Sequence, residues 1–512
     1  MKLKIKNAKV YDGTFQTSEI VDILVEQGVI RQIKPNITCE VEKELDAGGG
    51  LVCRAFCDYH LHVPGSWLYD LFGANLSPLS TLEEYRDILS GCIKRYDIVR
   101  GFGWGLDTLT SMFSTRKDTP IQFLDSISSD KPIVIFSNDF HSCWCNTKAL
   151  ESIGVQYEGY RDERIIKSGI LHAGIAQKVF NMDLFSFTDA EIRTAIKSFQ
   201  NQLIGYGVCE VVSFMFIGAS KKKLLDVLFD MDKEGLLSVR FNLCLDAFPQ
   251  MGSEKLLSDY KLYKNYETDN IKFNTVKVYA DGVVDNHTAA LFENYSDTDT
   301  NCSLLWKKED LISICKKSNE LGLSVHAHAI GDAAVSFVLD CFEECKKYKV
   351  SNSITHIQLC KQEDIQRMKS LETIACLQPF WFLRGDSAEN VDRIRLGNRV
   401  DNQYRCNSFL ALGVSVVFSS DSPVTSNFDP LLGMSQAILD DGSQESIEIT
   451  DAYIAYQCKN SGTNKNKASL SIGDEANIII LSDDIFTKGI SPSTHVQYTI
   501  IKDRFFELAA NN

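Results

Sequence analysis

The 512-residue chain has no run of 18 apolar residues, so no membrane-spanning helix is expected. It has no Lys/Arg-rich run either, and a net charge of −15 argues against binding a phosphate backbone or a strongly anionic macromolecule. A local basic pocket stays compatible with that balance. The N-terminus, MKLKIKNAKVYDG, alternates Lys with apolar residues and contains no continuous apolar segment. It is therefore not read as a secretory signal, and a cytoplasmic location is expected. No pair of CxxC motifs marks a structural zinc site. The 16 scattered cysteines are expected to be buried free thiols rather than a disulfide framework. Internal repeats and low-complexity segments are lacking as well. Apolar residues at 44% and charged residues at 24% describe an ordinary globular chain with ample length for a large core.

Histidine is also scarce, and its placement is informative. Only nine are present, and four fall in an ordered series at or just after short apolar runs: His60 and His62 in DYHLH, His328 in HAHAIGD and His356 in ITHIQ. Asp421 in FSSDSP extends the series. Side chains on a strand alternate with period 2, so an H-x-H presents both imidazoles on one face. One strand end can thus offer two ligands to one metal, and a catalytic metal site keeps a further position open. His326 lies two residues before His328, shares its face and competes for the same role.

The order of elements fits a barrel. The first fifty residues read as short alternating strands with turns at Asp12-Gly13 and Gln27-Gly28, and the last forty read similarly around Gly473-Asp474. Both ends are expected to build one small β domain, a β-sandwich, from residues 1–53 and 464–512. Between them, residues 54–463 alternate strands and helices. PIVIFSN (132–138), Gly207–Val212, Val276–Ala280, a strand through His328, Ile354–Ile357, Ile374–Gln378 and Val414–Ser419 are strand-like. Thr188-x-x-Glu191 opens a helix ending near Gly205, and further helices are read at Asp310–Leu321 and Ala333–Lys347. Alternating units imply a parallel sheet, and chemistry at several strand ends favours a closed (β/α)8 TIM barrel over an open sheet. Residues 65–130, with a capping box at Ser80-x-x-Glu83, are long for one connection and read as an insertion, either a lid or decoration.

Several stretches carry a resemblance. DYHLH, NDFHSCWCNTKALESIGV, GIL, VKVYADG, HAIGDAAV, THIQL, LQP, RLGNR and SSDSPV occur in the order found in metal-dependent amidohydrolases, specifically the YtcJ-like group, amidohydrolase family 3, which includes N-substituted formamide deformylases. The resemblance spans nearly the whole chain. It implies a distorted barrel with a divalent metal site, zinc by expectation and one or two ions, at the strand C-termini. His60, His62, His328 and His356 are then ligands and Asp421 the last-strand acid. Lys277 in VKVYADG takes the place where related enzymes can carry a carbamylated lysine bridging two metals; a charged strand residue is the plain alternative. His141, Trp104 and Gln378 fall in segments near the substrate pocket, although a structural histidine and a packed tryptophan fit as well. Two departures stand out: Arg54-Ala55 replaces the usual Pro-Gly, and Ala173 stands where many members carry Glu, which puts the metal count in question. Arg399 and Arg405 can bind a substrate carboxylate or lie on helix surfaces. His172, His287 and His495 have no assignable role.

Such residues permit hydrolysis of a C–N bond. A divalent metal polarises a carbonyl and lowers the pKa of water to about 7. Asp421 can take the proton of the attacking water and pass it to the departing nitrogen, or it can merely cap the loop before Ser422-Pro423. The substrate is expected to be a small amide or N-formyl compound. Deamination or cyclic-amide hydrolysis at the same site is the near alternative, and a non-catalytic binding or regulatory protein the distant one. A homo-oligomer is compatible with the sequence.

Overall fold

The structure, a computed structural model, describes residues 1–77, 79–138, 140, 142–154, 167–180, 182–214, 221–382, 390–440, 442, 444–457 and 469–508. The chain opens with five strands, β1 (Lys2–Tyr11), β2 (Ser18–Glu26), β3 (Val29–Lys34), β4 (Lys43–Asp46) and β5 (Leu51–Arg54). Gln27 and Gly28 both take positive φ, 51° and 72°, as the two-residue hairpin joining β2 to β3 requires. The chain closes with β19 (Asn477–Leu481), β20 (Val496–Ile501) and β21 (Arg504–Glu507). Antiparallel pairing of β5 with β19 merges the two ends into one eight-stranded sheet in the order β21-β20-β19-β5-β1-β2-β3, with β4 beside β1.

Both faces of that sheet are covered at β19, which explains its unbroken apolar run. Ile478 and Ile480 join Leu3, Ile5 and Ile23 in the small domain's own core. Ile479 and Leu481, on the opposite face, pack into the main core of the barrel. Thr499 on β20 also donates to the backbone carbonyl of Ile204 at the end of the helix Asp189–Gly205.

The barrel starts at β6 (Phe56–Leu61) and continues with β12 (Val208–Ser213), β13 (Arg240–Asp246), β14 (Ile271–Tyr279), β15 (Ser324–Ala329), β16 (Ser353–His356), β17 (Ile374–Leu377) and β18 (Val416–Phe418). All seven neighbouring pairs are parallel, in chain order around the sheet. The seam between β18 and β6 closes just past the strand ends. There the Asp421 N–H donates to the His60 carbonyl at 2.7 Å and the His62 N–H to the Ser422 carbonyl at 2.8 Å.

The segment between β6 and β12 carries a sheet of its own: β7 (Ala74–Asn75), β8 (Val99–Trp104), β9 (Ile133–Ser137), β10 (Ser142–Cys145) and β11 (Ile170–His172). It reaches well beyond residues 65–130. The strand in PIVIFSN, read with the barrel alternation, is the middle strand of this second sheet. An apolar run shows burial on both faces but not which sheet provides it. The helix read from Ser80 is instead Leu82–Arg95, capped by Thr81 with Glu84 closing the box. Overlapping S/T-x-x-E registers at Ser80 and Thr81 offered both starts. The Thr188–Glu191 box forms as read. The helix read over Ala333–Lys347 is Asp332–Glu343, and a short 3-10 turn follows at Lys346–Tyr348. The described cysteines are free thiols. Among the described residues, no helix is long and apolar enough to cross a membrane.

Candidate active site at the barrel seam

His60 and His62 project from the end of β6 onto Asp421, which follows β18. His60 Nε2 lies 3.0 Å and His62 Nε2 3.2 Å from the same Asp421 Oδ1. Asp421 is only 4% exposed and sits at φ 58°, a left-handed conformation that Asp tolerates better than most residues. That turn directs its N–H back to β6 while its side chain faces both imidazoles. Asp58, two residues before His60, fixes the seam from beneath. Its carboxylate accepts from the N–H groups of His60 and Ser420 at 3.0–3.2 Å, and burial raises its pKa to about 7.

His356 ends β16 at φ 76°, followed by Ile357 at φ 45°, two left-handed residues in succession. A β-branched residue there is strained, and the surroundings hold it: the Ile357 N–H donates to the Ala329 carbonyl at 3.0 Å. His356 Nδ1 faces Gln378 Oε1 at 3.0 Å. The Gln378 amide in turn donates to Thr355 Oγ1 at 3.1 Å and Ser419 Oγ at 2.8 Å. These bonds make Nδ1 of His356 the proton-bearing nitrogen and leave Nε2 as its lone-pair atom. Gln378 is buried and committed to them. It orients the His356 ring. Trp381 stacks on the His356 ring at 5.1 Å and 12°. His328 Nε2 lies 3.0 Å from the Gly282 carbonyl, and its ring centre is 4.6 Å from that of His356. The His60 and His356 ring centres are 5.0 Å apart, so His60, His62, His328 and His356 line one continuous cluster with Asp421.

Lys277 points into the barrel from β14, 1% exposed, with Nζ 4.4 Å from the Phe214 ring centre and 4.9 Å from that of Tyr279. Burial lowers its pKa to about 8 against the opposing pull of Asp421, Cys244, Cys376 and Asp246. Burial, followed by the Lys277 charge, holds His60 and His326 well below the usual imidazole value. For His356 the order is burial, then His328, then Lys277. The buried imidazoles are thus neutral, the state in which they can ligate a metal.

Two neighbours in this cluster had weaker signals in the sequence. His326 shares the inward face with His328 but lies deeper, with Nε2 2.9 Å from His60 Nδ1. Cys376 on β17 brings Sγ within 4.8 Å of the ligand atoms of His60 and His326, and burial pushes its thiol pKa up to about 12. No spacing pattern points to Cys376; only the closing of the barrel brings it there. The turn beyond β14 is organised by Asp281, whose carboxylate accepts from the N–H groups of Ala290, Ile330 and Gly331 at 2.9–3.0 Å.

The other candidates lie elsewhere. Trp104 is fully buried in the core of the second sheet, donates to the Ile135 carbonyl at 2.8 Å and packs against Trp144. Its role there is packing. His141 and the side chain of Ala173 lie outside the described residues. Arg399 donates to the carbonyls of Glu293, Asn294 and Leu396, and Arg405 to Gln362, so both tie loops together. His172 meets Ser142, His287 meets Asp297 and His495 meets the Ser493 carbonyl.

His60, His62 and Asp421 form the two-imidazole, one-carboxylate donor set that a divalent ion takes, with their ligand atoms within 4.8 Å of one another. The residues present therefore fit a metal.

The sequence is similar to the protein YtcJ of Bacillus subtilis (strain 168), 24% identical over 508 residues covering 91% of each chain. It is also similar to the N-substituted formamide deformylase of Arthrobacter pascens, 19% identical over 484 residues covering 86% of this chain and 85% of that one. The fold superposes on a crystal structure of an uncharacterised metal-dependent hydrolase from Pyrococcus horikoshii OT3 with a TM-score of 0.73, 25% identity, and coverage of 95% of this chain and 98% of that one. The sequence profile of the amidohydrolase family matches residues 43–505. That match runs from the small sheet through every barrel strand and every residue of the seam, and by it the chain belongs to the amidohydrolase family, enzymes that hydrolyse carbon–nitrogen bonds.

Proposed function

We propose that this protein hydrolyses the C–N bond of a small amide or N-formyl compound at the β6–β18 seam. His60, His62, His328 and His356 hold the metal, zinc by preference, and Asp421 shuttles the proton. The observation that carries the reading is Asp421 Oδ1 lying within 3.2 Å of both imidazole nitrogens of the H-x-H pair. When bound, a divalent ion supplies carbonyl polarisation and a water acidic enough to lose its proton near neutral pH. The residues do the rest. The seam hydrogen bonds hold Asp421 still, so its carboxylate needs no reorganisation to accept a proton at one oxygen. The same carboxylic acid then delivers that proton to the departing nitrogen. Gln378 fixes the His356 tautomer, and the Gly282 carbonyl holds Nε2 of His328. Lys277, buried and with its amine proton weakly held, is our candidate for addition of CO2: the Nζ–C bond forms, one amine proton leaves, and an anionic carbamate faces the histidines. That state supports a site of two ions, and a bare lysine a site of one.

The N-formyl preference rests on similarity to the deformylase. Metal analysis of the purified protein, followed by assay of a panel of N-formyl amines and simple amides, tests the reading. Stoichiometric zinc with amine release is expected. A metal-free active enzyme, or metal content unaffected by His60→Ala with His62→Ala, would refute it.

A further inference from the structure

A neutral imidazole has one N–H and one lone pair, so the partner of one nitrogen dictates the state of the other. Nε2 of His60 points with His62 at Asp421, while its Nδ1 faces His326 Nε2 at 2.9 Å. His326 Nδ1 faces Ser353 Oγ at 2.7 Å. His60, His62 and the Asp421 carboxylate lie at the seam, His326 reaches His60 from β15, and both His60 and His326 are more than nine-tenths buried. With the lone pair of His60 Nε2 turned to the metal set, its proton must sit on Nδ1. His326 Nε2 must then accept, which places the His326 proton on Nδ1 and leaves Ser353 Oγ as its acceptor. The chain has one consistent direction.

We infer that His326 is a positioning residue, which accepts a hydrogen bond from the Nδ1–H of His60 and donates its own Nδ1–H to Ser353 Oγ, so that His60 presents Nε2 to the metal in one tautomer and one orientation. This rests on the metal site proposed above, in which His60 and His62 are ligands beside Asp421. It assigns His326 to the support of a ligand although it sits on the same strand face as His328. The competing arrangement would place an ion among His60 Nδ1, His326 Nε2 and Cys376 Sγ. That would use the wrong nitrogen of His60 for the H-x-H pair, or make one imidazole bridge two ions. Partners that orient a metal-bound histidine typically change metal affinity by 10–100-fold when removed.

The test is zinc affinity of the full-length protein, measured by chelator competition after metal removal, for wild type, His326→Gln and His326→Leu. Gln offers an oxygen to His60 and an amide N–H to Ser353, so its affinity is expected within about 3-fold of wild type. Leu offers neither, and a loss of about 10–100-fold is expected. Equal losses in both variants, or wild-type affinity in His326→Leu, would overturn the inference. Should His326→Leu not fold, anomalous scattering at the zinc edge from wild-type crystals decides. Zinc on Nε2 of His60 with His326 outside the coordination sphere upholds the assignment, and zinc at about 2.0–2.1 Å from His326 overturns it. Zinc content that survives removal of both His60 and His62 would instead sink the parent reading of the site, and this inference with it.

Discussion

Asp421→Asn separates a proton shuttle from a loop cap. The substitution keeps the size of the side chain and one oxygen acceptor, and Asn accepts the left-handed φ of 58° at this position about as well as Asp. The backbone bond from residue 421 to the His60 carbonyl, 2.7 Å long, does not depend on the side chain. The fold should therefore persist, with little change in thermal midpoint. What disappears is the capacity to take a proton at neutral pH. General acid–base catalysis contributes about 10²–10⁴-fold, so kcat should fall by that factor, about 2.7–5.4 kcal/mol of transition-state stabilisation. Zinc should remain largely in place, because two imidazoles still face the centre. The assay is kcat on any accepted amide, with zinc measured on the same sample. A variant with full zinc and near-normal kcat would show that Asp421 is only a structural cap.

Three further outcomes follow from the geometry. Lys277 has a folded-state pKa of about 8 against an ordinary 10.5, so burial costs stability wherever the ammonium persists. Its contribution is fully favourable above pH 10.5, fades as pH falls through 8 and is flat below that. Metal-free wild type should therefore gain roughly 3 kcal/mol relative to Lys277→Met between pH 7 and 10.5, read by denaturant titration at each pH, and a parallel pair of curves would contradict the burial argument. Gln378→Leu removes the acceptor of His356 Nδ1 and should weaken zinc binding about 10–100-fold at unchanged secondary structure; unaltered affinity would remove Gln378 from the site's support. Ile479→Ala empties a fully buried contact between the small sheet and the barrel core, and a loss of about 2–5 kcal/mol in unfolding free energy is expected, with a loss below 1 kcal/mol showing that this interface is loosely packed.

Much of the architecture was legible because periodicity reports burial. The Gln27-Gly28 hairpin, the Thr188–Glu191 box and the strands bearing His60, His328 and His356 all carry local signals. Membership in a sheet is not local, so PIVIFSN reads like a barrel strand although it belongs to the second sheet. Depth along a strand is equally hidden: HAHA shows that His326 and His328 share a face but not that His326 is the one meeting His60. Gln378 and Trp104 illustrate the same limit in opposite directions. Each lies in a segment like those near the pocket of related enzymes. Three-dimensional packing places the one beside His356 and the other in the core of a separate sheet.

The closure of the barrel between β18 and β6 has a consequence for biosynthesis. His62 and Asp421 are 359 residues apart in sequence, yet they meet across that seam. On a ribosome, the imidazole pair emerges long before its carboxylate partner exists. Every intermediate barrel strand must dock before the two ends of the sheet can join, and the entropy of closing so long a loop is recovered only at that last step. A nascent or truncated chain therefore presents two histidines but no complete centre. The two imidazoles and the carboxylate come together only when the final barrel strand is in place.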